Sequence, residues 1–271
     1  MMTYKINCLK DGKLELKNDP VNDELRTICP NCGGEGRTAS FANYGQKRDL
    51  REKYNPTDPP NNLVEMIEGL GITVDASLDK MIQDHLGRLA SPRGDLNDDH
   101  LVCFAHVRGR QGWCVGDLKS QRAFHNATTR TIEPLSFAPK EKTDSPAQLG
   151  KFVESELTRR SILRTGPIDI RSIQMSYSHP LLDIPVSCEI DGLIDGLYPL
   201  EIMSVEDLDN IYPNKITSKL DQIAEQIICC GSKKAFIMIV ERSGSRRICI
   251  LAVSSIVDWH LARLVNWRGV V

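Results

Sequence analysis

Apolar positions along the C-terminal half follow alternating helical and strand periods. From Ser145 to Arg164 they recur at helical spacing, at Leu149, Phe152, Val153, Leu157 and Ile162, with Gly166-Pro167 as the stop. Ile168 to Tyr177 alternates apolar with polar and predicts a strand, Pro185 to Ile190 a second, and Leu197 to Val205 a third after a turn at Gly196. Helical spacing returns from Thr217 to Cys230, at Leu220, Ile223, Ala224, Ile227 and Ile228, with Gly231 at the C′ position. Ala235 to Val240 is apolar throughout, as in a strand covered on both faces. A Ser-Gly-Ser turn, a strand from Ile248 to Val253 and a closing helix to about Arg268 complete the order α-β-β-β-α-β-β-α. A three-stranded meander, a crossover helix and a returning strand predict an α/β fold, a mixed sheet with helices on both faces.

The N-terminal half is less regular. Leu63, Val64, Ile67 and Leu70 fit one helix; Leu78, Met81, Ile82 and Leu86 fit another, with Ser77 as its N-cap. The segments LVCFAHV and WCVGD, on either side of a polar RGRQG turn, predict a β-hairpin. Glu133 to Pro146 is polar and broken by prolines, which divides the chain into residues 1–140 and 141–271.

Composition narrows the function classes. Of 271 residues, 41% are hydrophobic and 26% charged, the balance of a globular protein rather than a disordered one. The longest apolar run, Ala235 to Val240, has strand length, so no membrane span is expected. The first residues, MMTYKINCLKDGK, lack the apolar core of a secretory signal. Nine cysteines at irregular spacing then predict a reducing compartment, cytoplasmic or nuclear, with thiols as core residues or metal ligands. Thirty-four basic residues against 36 acidic ones leave no bulk charge to attract nucleic acid, so any such site must be a local patch.

Three carboxylates stand where apolar residues are expected. Asp191 closes the second strand, Glu201 lies within the third, and Glu154 sits on the first helix, four residues after Gly150. A short turn between antiparallel strands brings Asp191 beside Glu201. Converging carboxylates repel unless a hard cation such as Mg²⁺ lies between them, and such a cation activates water and polarises a phosphoryl oxygen. Taken singly, Asp191-Gly192 and Asp195-Gly196 also fit ordinary turns, and Glu154 and Glu201 fit solvated positions.

The segment DGLIDGLYPLEIMS, with Asp191, Glu201 and position 203 in order, resembles the PD-(D/E)XK nuclease superfamily. The similar branch holds lambda-type exonucleases, YqaJ-type viral recombinases, RecB-type nuclease domains and the CRISPR adaptation nucleases. Gly150 and Glu154 match that branch's first motif, and Gln222 and Gln226, followed by Gly231, match its last. The resemblance covers residues 145–255. It implies a restriction-endonuclease-like αβββαβ core and an Mg²⁺- or Mn²⁺-dependent nuclease, an exonuclease in first place, acting on nucleic acid, with DNA favoured over RNA and a viral source compatible. It also implies two metal ions held by Glu154, Asp191, Glu201 and the backbone carbonyl of Ile202, with Gln222 or Gln226 at the scissile phosphate.

One position departs from the pattern. Where the superfamily has a lysine that orients the attacking water and offsets transition-state charge, this chain has Met203. Three readings stay open. The methionine is an engineered inactivating substitution; the lysine has migrated, with Lys215 and Lys219 as candidates; or the protein is a non-catalytic relative that binds nucleic acid. A further alternative is an interaction protein whose Cys-rich region docks a partner.

Cys29-Pro-Asn-Cys32-Gly-Gly is a knuckle-type pair suited to structural Zn²⁺. Across the expected hairpin, His106 lies opposite Cys114 and supplies a second pair; Cys103 with His106 competes less well, because i and i+3 in a strand face opposite ways. Cys188, Cys229, Cys230 and Cys249 read as core residues. Arg159-Arg160 with Arg164, Lys215 with Lys219, Lys233-Lys234, and Arg242 with Arg246-Arg247 are candidate phosphate contacts, though each taken singly also fits a solvated face.

Overall fold

The computed structural model describes residues 53–91, 113–128, 164–182, 185–242 and 244–268, parts of a helix between 150 and 161, and the backbone of five further strands between residues 4 and 106. Those five are β1 (Tyr4–Cys8), β2 (Gly12–Leu16), β3 (Arg26–Ile28), β4 (Glu35–Thr38) and β7 (Phe104–His106). β1 and β2 pair as a hairpin, and β3, β4 and β7 form a second, antiparallel sheet.

The main sheet has eight strands. Its centre is the meander β9 (Ile168–Ser178), β10 (Pro185–Ile194) and β11 (Tyr198–Val205), followed by β12 (Lys234–Glu241) and β13 (Arg247–Ser254). β11 and β12 run parallel, joined by the crossover helix α5 (Pro213–Cys230), and the other neighbours in this row are antiparallel. α5 begins at Pro213, four residues before the expected Thr217, because proline at the first helical position loses no hydrogen bond. It ends at Gly231, left-handed with φ 63°. α6 (Ile256–Arg268) closes the described chain.

Helices cover both faces, so the fold is α/β with an open mixed sheet. On one face α5 and α1 (Asn61–Glu68) enclose Met203, Val205, Ile237, Ile239 and Leu251. On the other, α2 (Lys80–Ala90) and the helical residues around 150–161, here α4, cover Leu200, Ile202, Met238 and Ile250. The N-terminal half takes part directly. β5 (Asn55–Pro56) and β6 (Thr73–Asp75) pair along the outer edge of β13, and β8 (Trp113–Cys114) pairs in parallel with β10. The sheet is therefore not confined to residues 141–271.

Two local expectations need correction. Among the described residues β7 and β8 do not pair as the expected hairpin across RGRQG: β7 pairs with β4 and β8 with β10, so the two strands belong to different sheets. The short strands find longer partners elsewhere, and an isolated hairpin contributes little by comparison. The N-cap of α2 is Asp79, whose carboxylate accepts the Met81 N–H at 2.7 Å, rather than Ser77. α3 (Gln121–Thr128) was not foreseen.

A candidate metal centre between β10, β11 and α5

The site lies where, among the described residues, β10 runs out of strand partners along one edge. Near its end β10 pairs with β11 at Gly192, Leu193 and Ile194; near its start the pairs are Val186 and Ser187 with β8. Between these two partners, side chains take over the ladder. The Gln226 amide donates to the Glu189 carbonyl at 3.1 Å, and the Asp191 carboxylate accepts the Ile202 N–H at 2.8 Å. On the opposite edge Ile190 pairs with Ile173 and Gly192 with Ile170, so two residues of β9 face the single Asp191. Such a bulge re-aims the residue it borders. Asp191-Gly192 is thus strand, and the turn is Asp195-Gly196, both at positive φ.

Glu201 is buried at 1% exposure beneath α5. Three side chains on successive turns of that helix hold its carboxylate. Lys219 forms an ion pair with Oε1, and Gln222 and Gln226 donate to Oε2 at 2.8 and 2.6 Å. Positions 219, 222 and 226 share one face of a helix, and the last two are the glutamines that the family resemblance implied. Gln226 Oε1 is buried with no donor among the described residues, so it is an acceptor that a bound water or hydrated ligand would satisfy.

Electrostatics tie the carboxylates together. Burial pushes Asp191 well above the usual carboxylate range, and the charges of Glu201 and Glu154 push it further, with Lys219 and the Ile202 N–H opposing. For Lys219, burial acts to lower the pKa, but Glu201, Asp191 and Glu154 outweigh it and the ammonium is held above its ordinary value. Glu154, on α4, is therefore close enough to act on both. α4 reaches the site because Gly150 lies against β11: a Cβ there would sit 3.0 Å from the Ser204 hydroxyl.

The structure thus brings Glu154, Asp191, Glu201, Ile202, Gln222 and Gln226 to one place, and adds Lys219. Met203 points to the same face but packs into the apolar cluster with Ile216, Leu220 and Ile237, at 2% exposure. Lys215 is set apart from Glu201: its ammonium donates to the Ser204 carbonyl at 2.7 Å, and burial with Arg242 and Lys219 nearby lowers its pKa.

The sequence reading missed a second polar cluster on the adjacent flank of α5, made by Asp221, Glu225, Tyr177, His179 and His260. The signal was present as the repeated acid-Gln pairs 221-222 and 225-226 inside an otherwise apolar helix.

Cys29 and Cys32 lie outside the described residues. β3 and β4 close the connection that carries them through the Ile28–Glu35 pair, and His106 pairs with the next residue, Gly36. Cys114 belongs to the main sheet, where its thiol donates to Asp117 at 3.3 Å, so the shared hairpin face with His106 is not formed. Cys188 and Cys249 are core residues, and Cys229 and Cys230 pack against the core around Trp267. Among the described residues no helix is long and apolar enough to cross a membrane. No family model, no curated protein and no solved structure matches the chain.

Proposed function

We propose that the chain is a metal-dependent nuclease that hydrolyses phosphodiester bonds of nucleic acid, DNA in first place, with Lys219 standing in for the lysine absent at Met203. The observation that carries this reading is the Lys219 ammonium on the Glu201 carboxylate, beside a second carboxylate, Asp191, that burial and like charge leave short of a cation. The order of α4, β9, β10, β11, α5 and β12 agrees with the αβββαβ core of the nuclease superfamily it resembles.

The donor set fits Mg²⁺ or Mn²⁺. Asp191 and Glu201 offer hard oxygens with Glu154 nearby, and Gln226 Oε1 awaits a donor. A divalent ion there supplies charge to a phosphoryl oxygen and eases ionisation of water. The chain's own groups do the rest. Gln222 and Gln226 fix the Glu201 carboxylate by two hydrogen bonds. Lys219 keeps its proton and places a cation where negative charge builds up on the phosphate. Met203 is then a core residue, and its Lys→Met difference does not disable the site.

A non-catalytic nucleic-acid-binding role is the second reading, favoured by the Lys219 ammonium on Glu201, a countercharge that the chain itself supplies. Calorimetry with Mn²⁺, paired with a panel of labelled single- and double-stranded DNA and RNA, separates the two. Nuclease function requires Mn²⁺ binding that Asp191→Ala removes, and metal-dependent cleavage by the unaltered chain. Salt-dependent binding without cleavage at any metal concentration selects the second reading. A structural Zn²⁺ at Cys29 and Cys32, with His106 on the neighbouring strand, is proposed for the small sheet of β3, β4 and β7.

A further inference from the structure

Asp221 and Glu225 each precede a glutamine at the candidate site, so they lie about 100° round α5 from Gln222 and Gln226. Both are fully buried. Asp221 Oδ1 meets His260 Nδ1 at 2.8 Å, and its Oδ2 accepts from Arg263 at 3.3 Å. Glu225 Oε1 meets His179 Nε2 at 3.0 Å and also His260 Nε2, and its Oε2 accepts the Tyr177 hydroxyl. α5 is thereby tied to α6 through His260 and Arg263, and to β9 and the residue after it through Tyr177 and His179.

His179, Glu225 and His260 place one ligand atom each within 4.8 Å of one another, a spacing compatible with a metal ion. The proton positions point elsewhere. His179 Nδ1 accepts the Leu181 N–H at 3.0 Å, so the ring's one proton in its neutral form is on Nε2, facing Glu225. A metal there would need that proton removed and the ring left as imidazolate. His260 has a carboxylate against each nitrogen, and carboxylates only accept, so both nitrogens carry protons. Every oxygen of Asp221 and Glu225 then has a donor, and a metal would add no missing partner.

We infer that His260 is held as a buried imidazolium that locks α5 to α6 and so fixes Lys219, Gln222 and Gln226 on Glu201, which makes it a positioning residue of the candidate site. The inference rests on the reading of Glu201 and its three α5 partners as a functional site. The groups that face this network are Asp221, Glu225 and Cys229 of α5, Arg263 of α6, Tyr177 and His179 on the β9 side, and Cys188 of β10. Burial acts to neutralise His260, but the two carboxylates outweigh it and raise its pKa. Loss of the proton would leave one of the two carboxylates without its imidazole donor, and the tie between α5 and α6 would weaken.

The test uses the full chain with ¹⁵N-labelled histidine and glutamine side chains, followed by NMR as pH rises from 6. His260 is expected to carry protons on both nitrogens at pH 7, and His179 none on Nδ1, which accepts the Leu181 N–H. On further titration the side-chain amide signals of Gln222 and Gln226 move with the same midpoint as His260, and Mn²⁺ affinity falls in step. Asp221→Asn, which removes one countercharge, lowers that shared midpoint by roughly one unit or more. If the variant does not fold, the titration of the unaltered chain still decides. A neutral His260 at pH 7, glutamine signals indifferent to its titration, or stoichiometric metal ligated by His260 in purified protein overturns the inference. Glutamine signals that follow His260 in a protein that cuts no nucleic acid would uphold the positioning role and remove the nuclease reading instead.

Discussion

At the residue scale the proposed site turns on two side chains. Met203 carries no charge and is built into the core, while Lys219 reaches the Glu201 carboxylate from the helix above. The sequence admitted this arrangement, since Lys215 and Lys219 were both candidates for a displaced lysine, but spacing alone does not separate them. The structure does, because Lys215 is spent on the Ser204 carbonyl. Lys219→Met should therefore lower metal-dependent cleavage by about 10²–10³, the usual cost of losing one preorganised contact to transition-state charge. Met203→Lys should give no comparable gain, and should destabilise the fold by roughly 1–3 kcal/mol in a thermal melt, because a buried apolar side chain is replaced by an ammonium. A large gain in cleavage on Met203→Lys would mean that Lys219 is only a surface counterion.

Asp191 gives a second residue-scale prediction. Its folded pKa is raised, so in the metal-free protein its charge opposes folding once pH exceeds the ordinary aspartate value near 3.8. Asp191→Asn should accordingly raise the Tm of the metal-free protein at pH 7 and remove Mn²⁺ binding. A proton and a cation compete for the carboxylate, so Mn²⁺ affinity in the unaltered chain should fall as pH is lowered, with proton release on binding measurable in buffers of different ionisation heat. Proton-independent Mn²⁺ binding would remove Asp191 from the ligand set.

Elements position these residues, and here the sequence was most informative. The period-two run at 168–177, the strand at 197–205, the helix ending at Gly231 and the apolar strand at 235–240 all correspond to observed elements, because each buries enough apolar surface to mark itself in the sequence. What the pattern did not contain was partnership. β8 has two residues and borrows its pairing from β10, and the bulge on β9 arises from register, which no local propensity encodes. Gly192 is the residue on which this geometry turns. A Cβ there would lie 2.5 Å from the Asp169 carbonyl oxygen, a backbone atom that has to move with its strand. Gly192→Ala should cost about 1–3 kcal/mol in urea unfolding and displace Asp191 enough to weaken Mn²⁺ binding. An alanine variant of unchanged stability and affinity would show that β9 yields without disturbing the site.

On the scale of the whole molecule, the N-terminal half is joined to the site-bearing half by more than a linker. If the proposed zinc holds the small sheet, purified protein should carry about one equivalent per chain by elemental analysis, lost in Cys29→Ser with Cys32→Ser. Residues 53–91 stand in a different relation. Leu63, Ile67 and Ile72 belong to the core under α5, and Ile82, Leu86, Leu89 and Ala90 to the core on the other face. Arg160 of α4, 1% exposed, donates to the Leu89 and Ala90 carbonyls at 2.9 and 3.1 Å and so satisfies the C-terminal end of α2. The polar, proline-broken stretch at 133–146 reads in sequence as a boundary because composition reports local solvation, whereas these contacts link residues about 70 positions apart. A fragment of residues 141–271 would bare both faces beside β13, open that strand's edge where β5 and β6 pair, and leave the Arg160 guanidinium without its carbonyl acceptors. It should show no cooperative thermal transition and should aggregate, while a chain beginning near residue 53 should melt cooperatively and still bind Mn²⁺ if the candidate site is real. A well-folded 141–271 fragment with intact Mn²⁺ binding would prove that α1, α2 and their strands are an appendage rather than part of the core that holds the site.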